Sequence, residues 1–120
     1  MLFRSGVDVD TNGDARKYVH FGNCLIGYTH GREEGKRIAG LMQYEAPDAW
    51  AESKYREWHM GDLHHETAKE DNGIIFRRIG TVAPADTWHS KKGYVATHRK
   101  ATGFVWDRRQ GLEMIMHVSY

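Results

Sequence analysis

Histidine is the unusual component of this 120-residue chain, in which eight residues of this type occur. His30 follows one apolar segment, and Asp62, His64 and His65 follow another. Imidazole and carboxylate groups are ligands that divalent ions such as Zn, Mn and Fe accept in proteins. Because Cys24 is the one cysteine, a structural zinc site built on thiolates is disfavoured. The residue types therefore indicate a catalytic rather than a structural metal site.

The elements before these residues decide whether they can meet. Residues 24–29 and 55–60 predict two strands, and the helical spacing of Ile38, Leu41 and Met42 predicts a helix over 33–45 between them. If the two strands are parallel, this is a βαβ unit and both strands end at the same edge of the sheet, where open sheets bind ligands. Two interpretations stay open at this point: a metal site at that edge, or histidines at loop starts that only bond to the backbone.

Alternation along the chain refines the metal interpretation. In an extended segment, residues two apart point to the same side. Asp62 and His64 can therefore face one site, while Leu63 packs inward and His65 faces elsewhere.

The fold class predicted from the whole chain is α/β, with a mainly antiparallel sheet that contains the one βαβ crossover. In the first half of the chain, the other predicted elements are a strand at 2–9, a hairpin of strands 17–21 and 24–28 around Gly22-Asn23, and a helical turn at 47–51. In the second half they are a polar loop at 65–72, a strand at 74–82 and a hairpin of strands 103–108 and 112–118. Between these last elements, residues 84–89 predict a helical turn or tight loop, and residues 93–98 are an alternative position for a further strand.

Composition bounds the class of protein. A chain of 120 residues can bury one modest core, so we expect a single domain over 1–120, and a net charge of +1 gives no field for coating a polyanion. No stretch reaches the roughly 18–20 apolar residues of a membrane span, and the first residues lack a signal-peptide pattern. We therefore expect a cytoplasmic protein without a membrane partner, in which Cys24 is a buried thiol.

Two short segments resemble a known family. Gly61-Asp62-Leu63-His64-His65 resembles the Gly-His-x-His signature that closes the calcineurin-like metallophosphoesterases, and Gly27-Tyr28-Thr29-His30-Gly31 resembles the histidine motif that precedes it there. With the segments 15–22, 84–89 and 93–95, nearly the whole chain is similar to the C-terminal half of phage and bacterial phosphoesterases described as DNA-repair exonuclease-like. The resemblance implies the second half of an αββα sandwich.

The resemblance also implies a set of ligands. His64 would hold one divalent metal (Mn, Zn or Fe), and His30 with Asp62 would hold the other, while His65 and His89 would border the substrate. Asp62 stands where the family has histidine, which adds negative charge to the second metal position. The family's Asp-x-His, Gly-Asp and Gly-Asn-His motifs are absent from this sequence, so no residue here is assigned a catalytic role, and metal is expected to bind weakly or not at all in the isolated chain.

These implications lead to two functional expectations. The first is a fragment or subunit of a two-metal phosphodiesterase, a nuclease acting on nucleic acid, which is inactive alone. A missing first half would leave a sheet face and an edge exposed, so we expect a homo-oligomer or docking with a separately encoded N-terminal half. The alternative is a non-catalytic, phage-encoded binding protein or inhibitor that uses the same exposed surface.

Ordinary structural roles are predicted for most other polar and aromatic residues. His59 is expected to be a hydrogen-bonded sheet residue and His20 a surface residue. The tryptophans are expected to anchor the core or an interface, and the basic pairs, Arg77-Arg78 among them, to line solvated faces.

Overall fold

The computed structural model describes residues 10–61, 67–80 and 99–119. Within these residues the main feature is a five-stranded sheet with the strand order β1-β2-β3-β5-β4. Its strands are β1 (Arg16–Phe21), β2 (Cys24–Thr29), β3 (Tyr55–Met60), β4 (Thr67–Asp71) and β5 (Ile74–Arg78). The sheet is mixed, because β2, β3 and β5 are parallel and the two outer strands are antiparallel to their neighbours. This confirms the predicted α/β class.

The predicted βαβ unit is present. β2 leads through a 3₁₀ turn (Gly35–Arg37), helix α1 (Ile38–Glu45) and helix α2 (Pro47–Glu52) to β3. The two strands are parallel and in register from Cys24 opposite Tyr55 to Thr29 opposite Met60.

The helix begins later than predicted. α1 starts at Ile38 rather than at residue 33, because Glu34 is engaged elsewhere: its carboxylate accepts a hydrogen bond from the hydroxyl of Thr29 at 3.0 Å. Gly31 and Gly35 have φ values of +90° and +57°, which suits a chain that turns sharply before it becomes helical.

Both predicted hairpins are confirmed. β1 and β2 pair around Gly22-Asn23, and β6 (Lys100–Asp107) pairs with β7 (Gly111–Ser119) as a separate two-stranded ribbon.

The segment between β3 and β5 corrects the sequence prediction of a polar loop over 65–72. Thr67–Asp71 forms the edge strand β4, which turns into β5 through Asn72 and Gly73, with φ values of 51° and 77°. An Asn-Gly pair with two positive φ angles is the turn that closes a tight hairpin. β5 is also shorter than the predicted strand 74–82, since it ends at Arg78.

The core lies between the sheet and the two helices. Its centre is Trp58, which is fully buried together with Leu25 and Met42. Met60 and Ile74 complete the cluster, and the predicted helix face is confirmed because Met42 is buried and Ile38 and Leu41 pack against the cluster.

The β6–β7 ribbon packs on the opposite face of the sheet. The ring of Phe104 lies 4.5 Å from that of His59, centroid to centroid, and Gly111 lies against Tyr55, where an added Cβ would come within 2.8 Å of the ring. The thiol of Cys24, buried as predicted, donates to the carbonyl of Asp107 at 3.3 Å. The described chain therefore has three layers: helices, five-stranded sheet and ribbon.

Several predicted elements lie outside the described residues, namely those at 2–9, 84–89 and 93–98. Among the residues that the structure describes, no helix is both long and apolar enough to cross a bilayer.

Candidate functional site

The site is the edge of the sheet at which β2, β3 and β5 end. Thr29, Met60 and Arg78, the last residues of these strands, are neighbours in register. Beyond them the backbone N–H of Gly61 donates to the carbonyl of His30 at 3.2 Å. The parallel pairing thus brings His30 beside the start of the segment that carries Asp62 and His64.

The structure locates only part of the predicted ligand set. His30 is exposed at this edge. Asp62, His64, His65 and His89 lie outside the described residues, so their predicted roles stay predictions.

Arg78 spans the exits of the three strands. Its guanidinium donates to the carbonyl of Gly61 at 3.2 Å and to that of Gly31 at 3.3 Å. Gly31 permits this approach, because a Cβ there would lie 2.9 Å from the Cβ of Met60 and 3.0 Å from a nitrogen of Arg78. The arginine therefore ties the backbone at Gly31 to the backbone at Gly61, just beyond the ends of β2 and β3. Sequence reasoning assigned Arg78 to a solvated face and missed this role.

The described residues do not by themselves make a metal site. Within residues 10–61, 67–80 and 99–119, no three His, Cys, Asp or Glu side chains come together in a way that could hold an ion. Asp10, which also carries a carboxylate, is paired with Lys17 at 3.0 Å and accepts from the N–H of Asn12. A metal bound at His30 would need its other ligands from residues outside the described ranges, Asp62 and His64 among them, or from another chain.

A buried polar cluster lies under the ribbon, on the sheet face opposite the helices. Glu57 and His59 are 3% and 4% exposed, and one carboxylate oxygen of Glu57 lies 3.0 Å from His59 Nε2 and 2.8 Å from Arg77 Nε. The rings of Tyr28 and Phe104 flank His59. The prediction that His59 is a hydrogen-bonded sheet residue is confirmed.

Charge balance within this cluster keeps Glu57 ionised. Burial opposes ionisation, but the hydrogen bonds from His59 and Arg77 outweigh it and hold the pKa of Glu57 below its ordinary value. The Glu57 carboxylate is therefore the anionic partner of His59 and Arg77 beneath the ribbon, and its role is to stabilise this packing.

The other described histidines have surface positions. His20 lies 3.9 Å from the carboxylate of Glu52 and is partly exposed, as predicted for a surface residue. His117 lies 3.2 Å from the hydroxyl of Thr102 on the ribbon.

Comparison with known proteins gives a structural likeness without a sequence match. No protein-family model matches the sequence, and no curated protein matches it. Among solved structures, a single mutant of Vps29 from Entamoeba histolytica superposes with a TM-score of 0.54 at 16% identity, over 97% of this chain and 66% of that one. Wild-type Vps29 from the same organism, in complex with Zn²⁺, gives 0.53 at 14% identity, over 92% of this chain and 63% of that one.

The structural likeness to Vps29 covers part of that protein and concerns the fold. The chain spans a little under two thirds of the length of these Vps29 chains. Identities of 14–16% show the fold alone. The described strands and helices of this chain therefore share the fold of these Vps29 structures.

Proposed function

We propose that this chain is a fragment or subunit of a two-metal phosphodiesterase, a nuclease, which supplies the two histidine motifs and is inactive alone. One observation carries the proposal: on a metallophosphoesterase-like scaffold, parallel β2 and β3 bring His30 to the point where Asp62 and His64 follow in sequence. The resemblance of these motifs to the family's two histidine motifs supports the same assignment.

In this proposal the ligands divide between two ions. His30 and Asp62 hold one divalent metal, His64 holds the other, and His65 and His89 border the substrate. Nitrogen and oxygen donors suit Mn, Zn or Fe, and a Vps29 structure is a complex with Zn²⁺. When bound, such ions would polarise a phosphodiester and lower the pKa of water. Arg78 donates to the carbonyls of Gly31 and Gly61, which are the chain neighbours of His30 and Asp62.

The proposed partner supplies what this sequence lacks, which is the bridging carboxylate and the catalytic histidine. An apolar surface is available for docking. Val105, Met114, Met116 and Val118 lie on the ribbon face that points away from the sheet, and they are 39–61% exposed. Exposed apolar faces of this kind mark interaction sites. The proposed occupant is a separately encoded N-terminal half or a second copy of this chain.

A cytoplasmic location is part of the proposal. Cys24, the one cysteine, is a buried thiol, and a free thiol suits a reducing compartment.

Complementation tests the proposal. The chain is titrated with Mn²⁺ and Zn²⁺ and assayed on bis(p-nitrophenyl) phosphate, alone and mixed with a polypeptide that carries the Asp-x-His, Gly-Asp and Gly-Asn-His motifs. We expect tight metal binding and hydrolysis only in the mixture, and loss of both with His30→Ala combined with His64→Ala. The matched control is His20→Ala combined with His117→Ala, two surface positions. Unchanged activity in the His30/His64 double variant would overturn the proposal.

The apolar outer face of the ribbon also favours a second candidate, a non-catalytic, phage-encoded binding protein or inhibitor. Such a protein needs the surface but not the ligands. Tight binding to a nuclease that is unaffected by the His30/His64 double variant, and abolished by Met114→Glu with Met116→Glu, would favour this candidate over the phosphodiesterase subunit.

A further inference from the structure

A cavity lies beside the proposed metal edge, on the helix side of the sheet. It has a volume of about 270 Å³ and is open between the turn that precedes α1 and the strands β4 and β5. The side chains that line it include Glu34, Ile38, Met60, Lys69, Phe76 and Arg78.

The floor of this pocket is apolar. Ile38, Met60 and Phe76 come from three different elements and belong to the core or pack against it. The aromatic ring of Phe76 offers a flat surface of the kind on which bases stack.

One wall of the pocket is cationic. Lys69 lies opposite Phe76 in the β4–β5 register, and Thr67 lies opposite Arg78, so the lysine and the arginine project from the same face of two adjacent strands. The side chain of Lys69 is exposed and has no hydrogen bond or ion pair with any other residue that the structure describes. Arg78 uses two N–H groups on backbone carbonyls, and a guanidinium carries five.

The opposite wall carries one carboxylate. Glu34 is 8% exposed and accepts hydrogen bonds from the hydroxyl of Thr29, with Arg16 at 4.0 Å. Because Glu34 has these partners, it does not serve as the ion-pair partner of Lys69 or Arg78, and neither of these two pairs with another carboxylate among the described residues. Its charge also repels an anionic group from its own side, which directs that group to the cationic wall.

From this arrangement we infer that the pocket binds one nucleotide unit of a single-stranded nucleic acid, with the base on Phe76 and the phosphate at Lys69 and Arg78. The volume is near the lower end of ligand pockets, which suits one nucleotide and not a longer segment. The inference deepens the proposed function, since it names the strand that a nuclease at this edge would hold.

The test is an amide NMR titration of the isolated chain, without metal, using AMP, inorganic phosphate, adenosine and the dinucleotide pdApdA. We expect AMP and pdApdA to shift the amides of Lys69 and Phe76, with pdApdA binding at least as tightly as AMP. Adenosine and phosphate alone should each bind at least tenfold more weakly than AMP. Lys69→Ala should weaken binding about tenfold, the size of one charge-assisted contact.

One control tests whether the effect is specific to the pocket. Lys54→Ala removes the lysine that precedes β3, at the other end of that strand, and should leave nucleotide binding unchanged. The inference would be overturned if the Lys69→Ala variant and the unsubstituted chain bound AMP with equal affinity. It would also be overturned if inorganic phosphate bound as tightly as AMP does. Binding of AMP but not pdApdA would overturn the assignment to a nucleic-acid strand. Each of these results can occur whether or not the complementation experiment succeeds.

Discussion

Gly27 lies directly against the indole ring of Trp58, so closely that an added Cβ would come within 2.6 Å of the ring atoms Cε3 and Cζ3. The two residues are also paired in register across β2 and β3. The indole is fully buried at the centre of the core, so it has no room to move away. The glycine that opens the first histidine motif is therefore a packing requirement of the βαβ unit.

Gly27→Ala is predicted to destabilise the fold. Forcing extra volume into a well-packed core costs about 1–3 kcal/mol, and we expect a loss in this range in urea denaturation. The matched control is Gly40→Ala, where a Cβ meets nothing within 4 Å. Since alanine is favoured over glycine inside a helix, that variant should gain about 0.5–1 kcal/mol. Equal stability of the two variants would contradict the packing argument.

Arg78→Ala is predicted to loosen the edge that carries the proposed ligands. It removes two hydrogen bonds from a charged donor to the carbonyls of Gly31 and Gly61. Hydrogen bonds to charged groups contribute about 1.5–3 kcal/mol, and solvent at this partly exposed edge reduces that figure, so we expect a loss of about 1–2 kcal/mol.

Hydrogen exchange provides the specific measurement for this variant. The amide of Gly61, which donates to His30, should exchange faster in Arg78→Ala, while amides at the opposite end of β3 should not change. Arg109→Ala, in the exposed turn of the ribbon, is the control with the same loss of charge. Faster exchange along all of β3 would indicate general destabilisation and contradict a local role for Arg78.

The sequence was informative where local pattern and structure agree. The βαβ unit and the two predicted hairpins follow from apolar periodicity and short turn signals, and these local signals coincide with the tertiary packing. The proximity of His30 to Gly61 could be predicted for the same reason, since it needs only the parallel pairing of two recognisable strands.

Other features depended on information that local pattern does not carry. β4 is exposed along its whole length and lacks an alternating apolar pattern. The Asn72-Gly73 turn is the one local signal that could have predicted this strand. The start of α1 depended on a hydrogen bond between Thr29 and Glu34. Arg78 contacts a carbonyl 47 positions earlier in the chain, and no spacing rule predicts such a bond.

Glu57→Gln is predicted to lower the free energy of unfolding and to weaken the dependence of that free energy on pH in the acidic range. Removing the charge leaves Arg77 and His59 beneath the ribbon without their anion, and breaking a buried pair costs about 3–5 kcal/mol. The pKa of Glu57 is lowered on folding, so its contribution is fully present above the unfolded value near 4.5 and is lost as pH falls through the folded pKa. The difference in unfolding free energy between the unsubstituted chain and the variant should therefore shrink below about pH 4.5.

Urea denaturation at pH values from 3 to 7 measures this difference. The control is Glu70→Gln, which changes an exposed carboxylate on the edge strand β4. Glu45, whose pKa is lowered by its hydrogen bond from Arg16, also loses stability in acid, but this loss is common to both proteins and cancels in the comparison. A difference that stays constant over the whole range would show that Glu57 is not the group responsible.

Met114→Glu combined with Met116→Glu is predicted to abolish association through the ribbon. Both side chains are about half exposed on the outer face, so their replacement should change the stability of the monomer by about 0.5 kcal/mol or less each. Two carboxylates on that face would repel a second copy and would have to be desolvated in any complex. Sedimentation velocity over a range of concentrations should show larger species for the unsubstituted chain and a monomer for the variant. Tyr44→Glu, at an 84% exposed position on α1, is the control and should associate normally. If the double variant associates as readily as the unsubstituted chain, the outer face of the ribbon is not the docking surface, and the proposed partner has to bind elsewhere.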